Sequence, residues 1–141
     1  MLRKEDFKVA TEKERSKYII RPYEHIPLTE LVPGSLSHLL RGKGVLISFL
    51  TMKAGSVFEL HSHPQEQIMI VLEGYCDEII ENKIYHVTAG DVIYLPSNVP
   101  HGAFLGDVDC KAIDIFCPVR EDYMEKYRQQ HPDAQVFFVE M

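Results

Sequence analysis

Residues 57–67, Val57-Phe58-Glu59-Leu60-His61-Ser62-His63-Pro64-Gln65-Glu66-Gln67, place two histidines two apart in an extended run that Pro64 terminates. Successive side chains of a strand alternate faces, so both imidazoles project to one side, roughly 6.6 Å apart along the backbone, and their ring nitrogens can converge on one ion. Gln67 opens the next run, beyond the turn at Pro64-Gln65-Glu66. His101 follows a second extended approach, Pro96-Ser97-Asn98-Val99-Pro100, in which two prolines hold the chain straight. His61, His63, Gln67 and His101 are therefore the candidate ligands of one divalent transition-metal ion. Glu66 is a rival to Gln67, because a carboxylate is ordinarily the better ligand for such an ion. Adjacent strand residues face opposite ways, so the two are alternatives. His25, His38, His86 and His131 have no comparable setting.

Outward from this stretch, residues 36–117 form a succession of short apolar or alternating runs: 46–50, 67–73, 75–80, 84–87, 92–95 and 112–116. Turn chemistry bounds each of them, as at Arg41-Gly42-Lys43-Gly44, Lys53-Ala54-Gly55, Glu73-Gly74, Glu81-Asn82-Lys83 and Ala89-Gly90-Asp91. The rhythm predicts an all-β, antiparallel sandwich or barrel core over 36–117, with no room for parallel crossovers. The flanks differ. Residues 1–24 form an N-terminal arm whose charged stretch, 3–17, suits a short helix, an extended arm or an extra strand. Residues 121–130 carry acids early and Arg128 late and run toward Pro132, which predicts a C-terminal helix. A last strand is expected over 135–139, closing the barrel or pairing with another subunit.

The 141 residues suffice for a single domain, 1–141, with one core. A formal charge of −6 gives no excess of Lys and Arg for neutralising phosphates, so a small-molecule partner is expected and nucleic acid is not. The longest aliphatic run, Ile68–Leu72, is too short to span a bilayer, and the mixed charges of residues 1–8 do not form a secretory signal, so a cytoplasmic protein without membrane association is expected. Cys76, Cys110 and Cys117 lack CxxC pairing and are expected as reduced, mostly packed thiols.

The spacing Gly55-x5-His61-x-His63-x3-Gln67-x6-Gly74 resembles the first motif of the cupins, which has Glu or less often Gln at the fourth place, and Gly90-x5-Pro96 followed by His101 resembles the second. Gln67, not Glu66, keeps the six-residue spacing to Gly74. Asn98 and Leu105 stand where that family usually has Gly and Asn, neither of them a ligand position. The resemblance implies a double-stranded jelly-roll barrel, flanked here by terminal segments and the short C-terminal helix, and commonly a homodimer.

Further along, Asp114 and Phe116 share one face of a run whose other face carries Ile113 and Ile115. If the acidic face points inward, Asp114 lies near the metal as a general acid or base, and Arg120 at the mouth can grip a carboxylate. If it points outward, Asp114 meets solvent and Arg120 pairs with Glu121 or Asp122. Met69 shares the inward parity of Gln67 and puts a thioether close to the ion. Residues 61–67 and 114–123 together resemble the KdgF family of pectin-degradation cupins, small metal-dependent barrels that convert unsaturated uronates into linear ketones. That resemblance implies that Asp114, Phe116 and Arg120 line the substrate site. Three imidazoles and an amide leave the charge of the ion uncompensated, so its open positions should attract an anionic small molecule. Zinc, nickel, iron or manganese would suit such donors. An iron-dependent dioxygenase and a non-catalytic sugar-acid-binding cupin are the alternatives.

Overall fold

The computed structural model describes residues 1–136. Its strands are β1 (Thr29–Val32), β2 (Ser35–Arg41), β3 (Leu46–Met52), β4 (Val57–His61), β5 (Glu66–Glu73), β6 (Tyr75–Ile80), β7 (Lys83–Thr88), β8 (Val92–Leu95), β9 (His101–Leu105) and β10 (Cys110–Cys117). They build two sheets, one of six strands in the order β1-β2-β3-β10-β5-β8 and one of four in the order β4-β9-β6-β7. Every pairing is antiparallel. The result is the expected jelly-roll barrel. Its sheet begins at Thr29, ahead of the expected start near residue 36, because β1 and β2 form a hairpin that extends the larger sheet.

Period-two alternation decides which side chains enter the barrel. Leu46, Ser48, Leu50 and Met52 of β3 are buried, as are Cys110, Ala112, Asp114 and Phe116 of β10, while their outward neighbours are half-buried or, at Lys111 and Cys117, exposed. Polar groups thus enter an otherwise apolar core. Ser37 and Ser48 satisfy each other there, with hydroxyl oxygens 2.5 Å apart. Cys76 and Cys110 are buried and Cys117 is exposed, all three as free thiols.

The N-terminal arm resolves into short helices. A 3-10 turn (Lys4–Asp6) precedes α1 (Glu12–Arg15), which a reciprocal capping box between Thr11 and Glu14 starts, and α2 (Pro22–His25), which has proline in its first turn. Tyr23 of α2 stacks edge-on against His38 and Phe49 on the outer face of the larger sheet. His38 Nδ1 donates to the Ile26 carbonyl at 2.5 Å, so this histidine ties the arm to β2.

The predicted C-terminal helix is present as α3 (Glu121–Gln130), with Met124 and Tyr127 buried. It docks along the edge strand β1. Gln130 exchanges two hydrogen bonds with the Glu30 backbone, at 2.8 and 2.9 Å, and Lys126 donates to the Leu31 carbonyl. These side chains satisfy edge groups that would otherwise be open to another chain. Residues 135 and 136 are not in a strand, and the remainder of the expected strand over 135–139 lies outside the described residues. Among the described residues no helix is long and apolar enough to cross a membrane.

Gly74 links β5 to β6 with φ +80°, and a Cβ there would lie 2.3 Å from the Asp109 carbonyl oxygen. Both the left-handed backbone and the close approach require glycine. Gly74→Ala should therefore lower stability by about 2–4 kcal/mol. Chemical denaturation checks this: the midpoint should fall with an unchanged slope.

Candidate metal centre

The three histidines reach one point from three different segments. An irregularity in β4 sets the first. Phe58 pairs with Ala103 but His61 pairs with His101, so three steps along β4 match two along β9. Without that bulge Leu60 would oppose His101. His63 lies beyond the end of β4 in the turn, so it reaches the site through turn geometry and not by the strand periodicity that the sequence suggested. Asn98 holds that turn: its backbone N–H donates to the His63 carbonyl at 2.8 Å, with φ at +65°. Asn adopts this left-handed conformation more readily than most residues, which accounts for its presence at a position usually occupied by glycine.

The ring centroids of His61, His63 and His101 are 4.2–5.9 Å apart, and one nitrogen from each lies within 4.8 Å of the others. Each Nδ1 sits against a carbonyl oxygen: His61 on Glu59 at 2.9 Å, His63 on Gln65 at 3.0 Å and His101 on Val99 at 2.9 Å. A carbonyl only accepts, so Nδ1 carries the proton in all three and the Nε2 lone pairs are left free. Burial pushes the His101 imidazole down to about 4 and lowers that of His63, where Arg120 adds to the effect; both rings are neutral at pH 7. Neutral imidazole with its second nitrogen tied to a carbonyl is the state that ligates metals.

Gln67 joins the cluster from the start of β5, its Oε1 3.1 Å from His63 Nε2. With His63 protonated on Nδ1, two lone pairs face each other across that gap, an arrangement that a cation between them relieves. Glu66 turns the other way. It is exposed and accepts a hydrogen bond from the Tyr94 hydroxyl at 2.6 Å, so the rivalry with Gln67 falls to Gln67. The donor set therefore fits a divalent ion held by His61, His63, His101 and the Gln67 carbonyl oxygen.

The acidic face of β10 points inward. Asp114 is buried beside Gln67, and its Oδ1 has no hydrogen-bond partner among the described residues. Burial raises its carboxyl to about 6, partly offset by the Gln67 amide and by Arg120. Arg120 is buried as well. Its Nη2 and Nε grip Asp122 at 2.7 and 3.3 Å, and its guanidinium lies 3.6 Å over the Tyr123 ring. Nη1 is left buried without a partner among the described residues. Asp114, Arg120 and Met69 all line a cavity of about 560 Å³ that also takes in His61, Gln67 and His101. Phe116 is 1% exposed and meets His63 and Tyr123 edge-on, so it braces the ligand and the arginine from behind.

Two cavity residues were not singled out from the sequence. Tyr123 closes the 114–123 segment of the resemblance and opens the helix pattern without a role of its own, although an aromatic three residues after Arg120 suits stacking. Glu78 was read only as part of a strand, yet it is the one acid on the inward face shared by Cys76 and Ile80, a detectable break in an apolar stripe.

The comparisons agree with this fold. The family model described as "Cupin domain" matches residues 48–116. Among solved structures, an RmlC-like cupin from Shewanella frigidimarina is 27% identical over 71% of this chain and 90% of its own, with a TM-score of 0.66. KdgF from a Halomonas species is 25% identical over 71% of this chain and 94% of its own, with a TM-score of 0.65. A predicted oxalate decarboxylase from Thermotoga maritima, 20% identical over 72% of this chain and 99% of its own at a TM-score of 0.62, shares the fold. No curated protein gave a significant match.

Replacing one imidazole should abolish tight metal binding. His101→Ala should bind zinc at least about 100-fold more weakly than the parent while remaining folded, because metal sites lose roughly 10–100-fold even for the removal of outer-shell partners. Titration against a chromogenic chelator, with circular dichroism as the folding control, measures this.

Proposed function

The chain belongs to the cupin superfamily, and on that premise we propose that it is a metal-dependent enzyme acting on a small carboxylate-bearing substrate, an unsaturated uronate converted to its linear ketonic form. The observation that carries the proposal is the buried Arg120 Nη1, unpartnered among the described residues and set in the same cavity as the histidine cluster and the free Oδ1 of Asp114. An unsatisfied buried guanidinium nitrogen is costly, and a ligand carboxylate satisfies it by a charge-assisted bond.

Each step of such a reaction has a residue. Asp122 and Tyr123 hold the guanidinium in place, so Arg120 meets the carboxylate without reorganising. Asp114, next to the ligand Gln67, takes or returns a proton at its free oxygen as the enol-like carbon and the ring oxygen exchange theirs. Met69 and Leu95 wall the cavity with apolar surface and keep water from the reacting centre. The ion, when bound, supplies Lewis acidity to the sugar oxygens. The four protein donors are uncharged, so a substrate anion contributes to the charge balance of the centre.

Incubation of metal-loaded protein with unsaturated galacturonate should discharge the enol-ether absorbance. Asp114→Asn should lower kcat by at least about 100-fold while substrate still binds. Arg120→Lys should act mainly on KM, raising it about tenfold, because lysine cannot reproduce the planar fork. Absence of turnover above background with zinc, nickel, iron and manganese alike would overturn the proposal. Oxygen consumption with iron(II) would redirect it to an oxygenase.

A further inference from the structure

Glu78 lies in the cavity, and nothing in the chemistry above uses it. It is the middle inward residue of β6 and stands opposite Ala103 of β9. His101 and Ala103 are consecutive inward residues of β9, so Glu78 sits one inward step, about 6.8 Å along the strands, beyond the level of the histidines. On the facing sheet the corresponding step along β10 leads from Phe116, paired with Gln67, to Asp114, paired with Met69. Arg120 follows Phe116 in the other direction, past the end of β10. The cavity therefore has an order: arginine, then histidine cluster, then the Glu78–Asp114 level.

Glu78 is 5% exposed. Among the described residues its carboxyl meets the Cys76 thiol, 4.0 Å away, and no cationic side chain pairs with it. A buried carboxylate with no cation is costly, so the group keeps its proton. Burial, and then the charge of Asp114, push it up to about 8, in accord with that state. A neutral carboxyl both donates and accepts, which is the complement of an alcohol. The side chains around it in the cavity include Leu50, Met52, Met69 and Ala103, which offer no hydrogen bonds of their own. A ligand hydroxyl reaching this depth would find its partner in Glu78.

We propose that Glu78 is the specificity-determining residue of the inner end of the cavity, hydrogen-bonding a hydroxyl of a ligand whose carboxylate is held at Arg120, so that the site selects hydroxylated sugar acids over unsubstituted carboxylates of the same size. This rests on the reading of the cavity as a carboxylate site. It extends that reading from the anionic head of the ligand to its tail, and it assigns Glu78 a binding role that neither metal ligation nor proton transfer requires.

Calorimetric titration of the zinc-loaded protein with D-galacturonate and with cyclohexanecarboxylate, which has a ring of the same size and no hydroxyls, tests both levels separately. The parent should prefer galacturonate. Glu78→Leu should reduce that preference about tenfold, the effect of losing a buried hydrogen bond and stranding its partner, whereas Glu78→Gln, which still donates and accepts, should keep it within about twofold. An unchanged preference in Glu78→Leu, or no preference in the parent, would overturn the role of Glu78 and leave the carboxylate site standing. If neither ligand binds the parent, the carboxylate reading fails and this inference fails with it. Glu78→Ala gives the same comparison should the leucine variant not fold.

Discussion

Three imidazole Nδ1–H groups, each spent on a backbone carbonyl two residues away, leave three Nε2 lone pairs converging on one point inside the barrel. Lone pairs in such proximity repel one another and cannot satisfy one another. Burial disfavours a proton on His63 and, strongly, on His101. A divalent cation resolves the conflict, and much of the surrounding architecture serves to impose it. The β4 bulge delivers His61, the Asn98 turn holds His63, and β9 brings His101 opposite both.

The barrel interior divides accordingly. Beyond the histidines, Asp114 and Arg120 are buried with one atom each unpartnered among the described residues, whereas Ser48, paired with Asp114 across the sheet, is satisfied by Ser37. Buried polar atoms are ordinarily paired, so orphans gathered beside a cavity mark where a ligand belongs. Around them the inward leucines, methionines and alanine keep the local dielectric low, which strengthens every charge interaction made there. The same low dielectric explains why Glu78, without a cation, is held neutral.

Much of this was legible in the sequence, for identifiable reasons. Strand periodicity and turn residues located β3 and β5–β8 closely, and the motif spacing pointed to the three histidines that the fold gathers together and to Gln67 beside them. The inward parity of Met69, shared with Gln67, followed from alternation alone. β1 was missed because Thr29–Val32 is only four residues long, and it is stabilised by pairing with β2 and by Gln130 from a helix one hundred residues away. The way His63 reaches the site was misjudged because a bulge and a turn, neither of which has a periodic signature, interrupt the strand after His61. Which face of β10 enters the barrel could not be decided locally either. Ile113 and Ile115 look like core residues, and only the assembled sheet shows that they form its outer side. The pairing of Arg120 with Asp122, expected only for an outward-facing site, coexists with an inward one because the fork uses Nε and Nη2 and leaves Nη1 free.

The central claim is that three imidazoles and one amide oxygen hold the ion and leave room for an anion. X-ray absorption spectroscopy of the zinc-loaded protein tests it most directly. The account predicts a first shell of nitrogen and oxygen at about 2.0–2.2 Å, with outer-shell scattering that fits three imidazoles and no sulfur. A first shell containing sulfur, or one that fits fewer than three imidazoles, would contradict it.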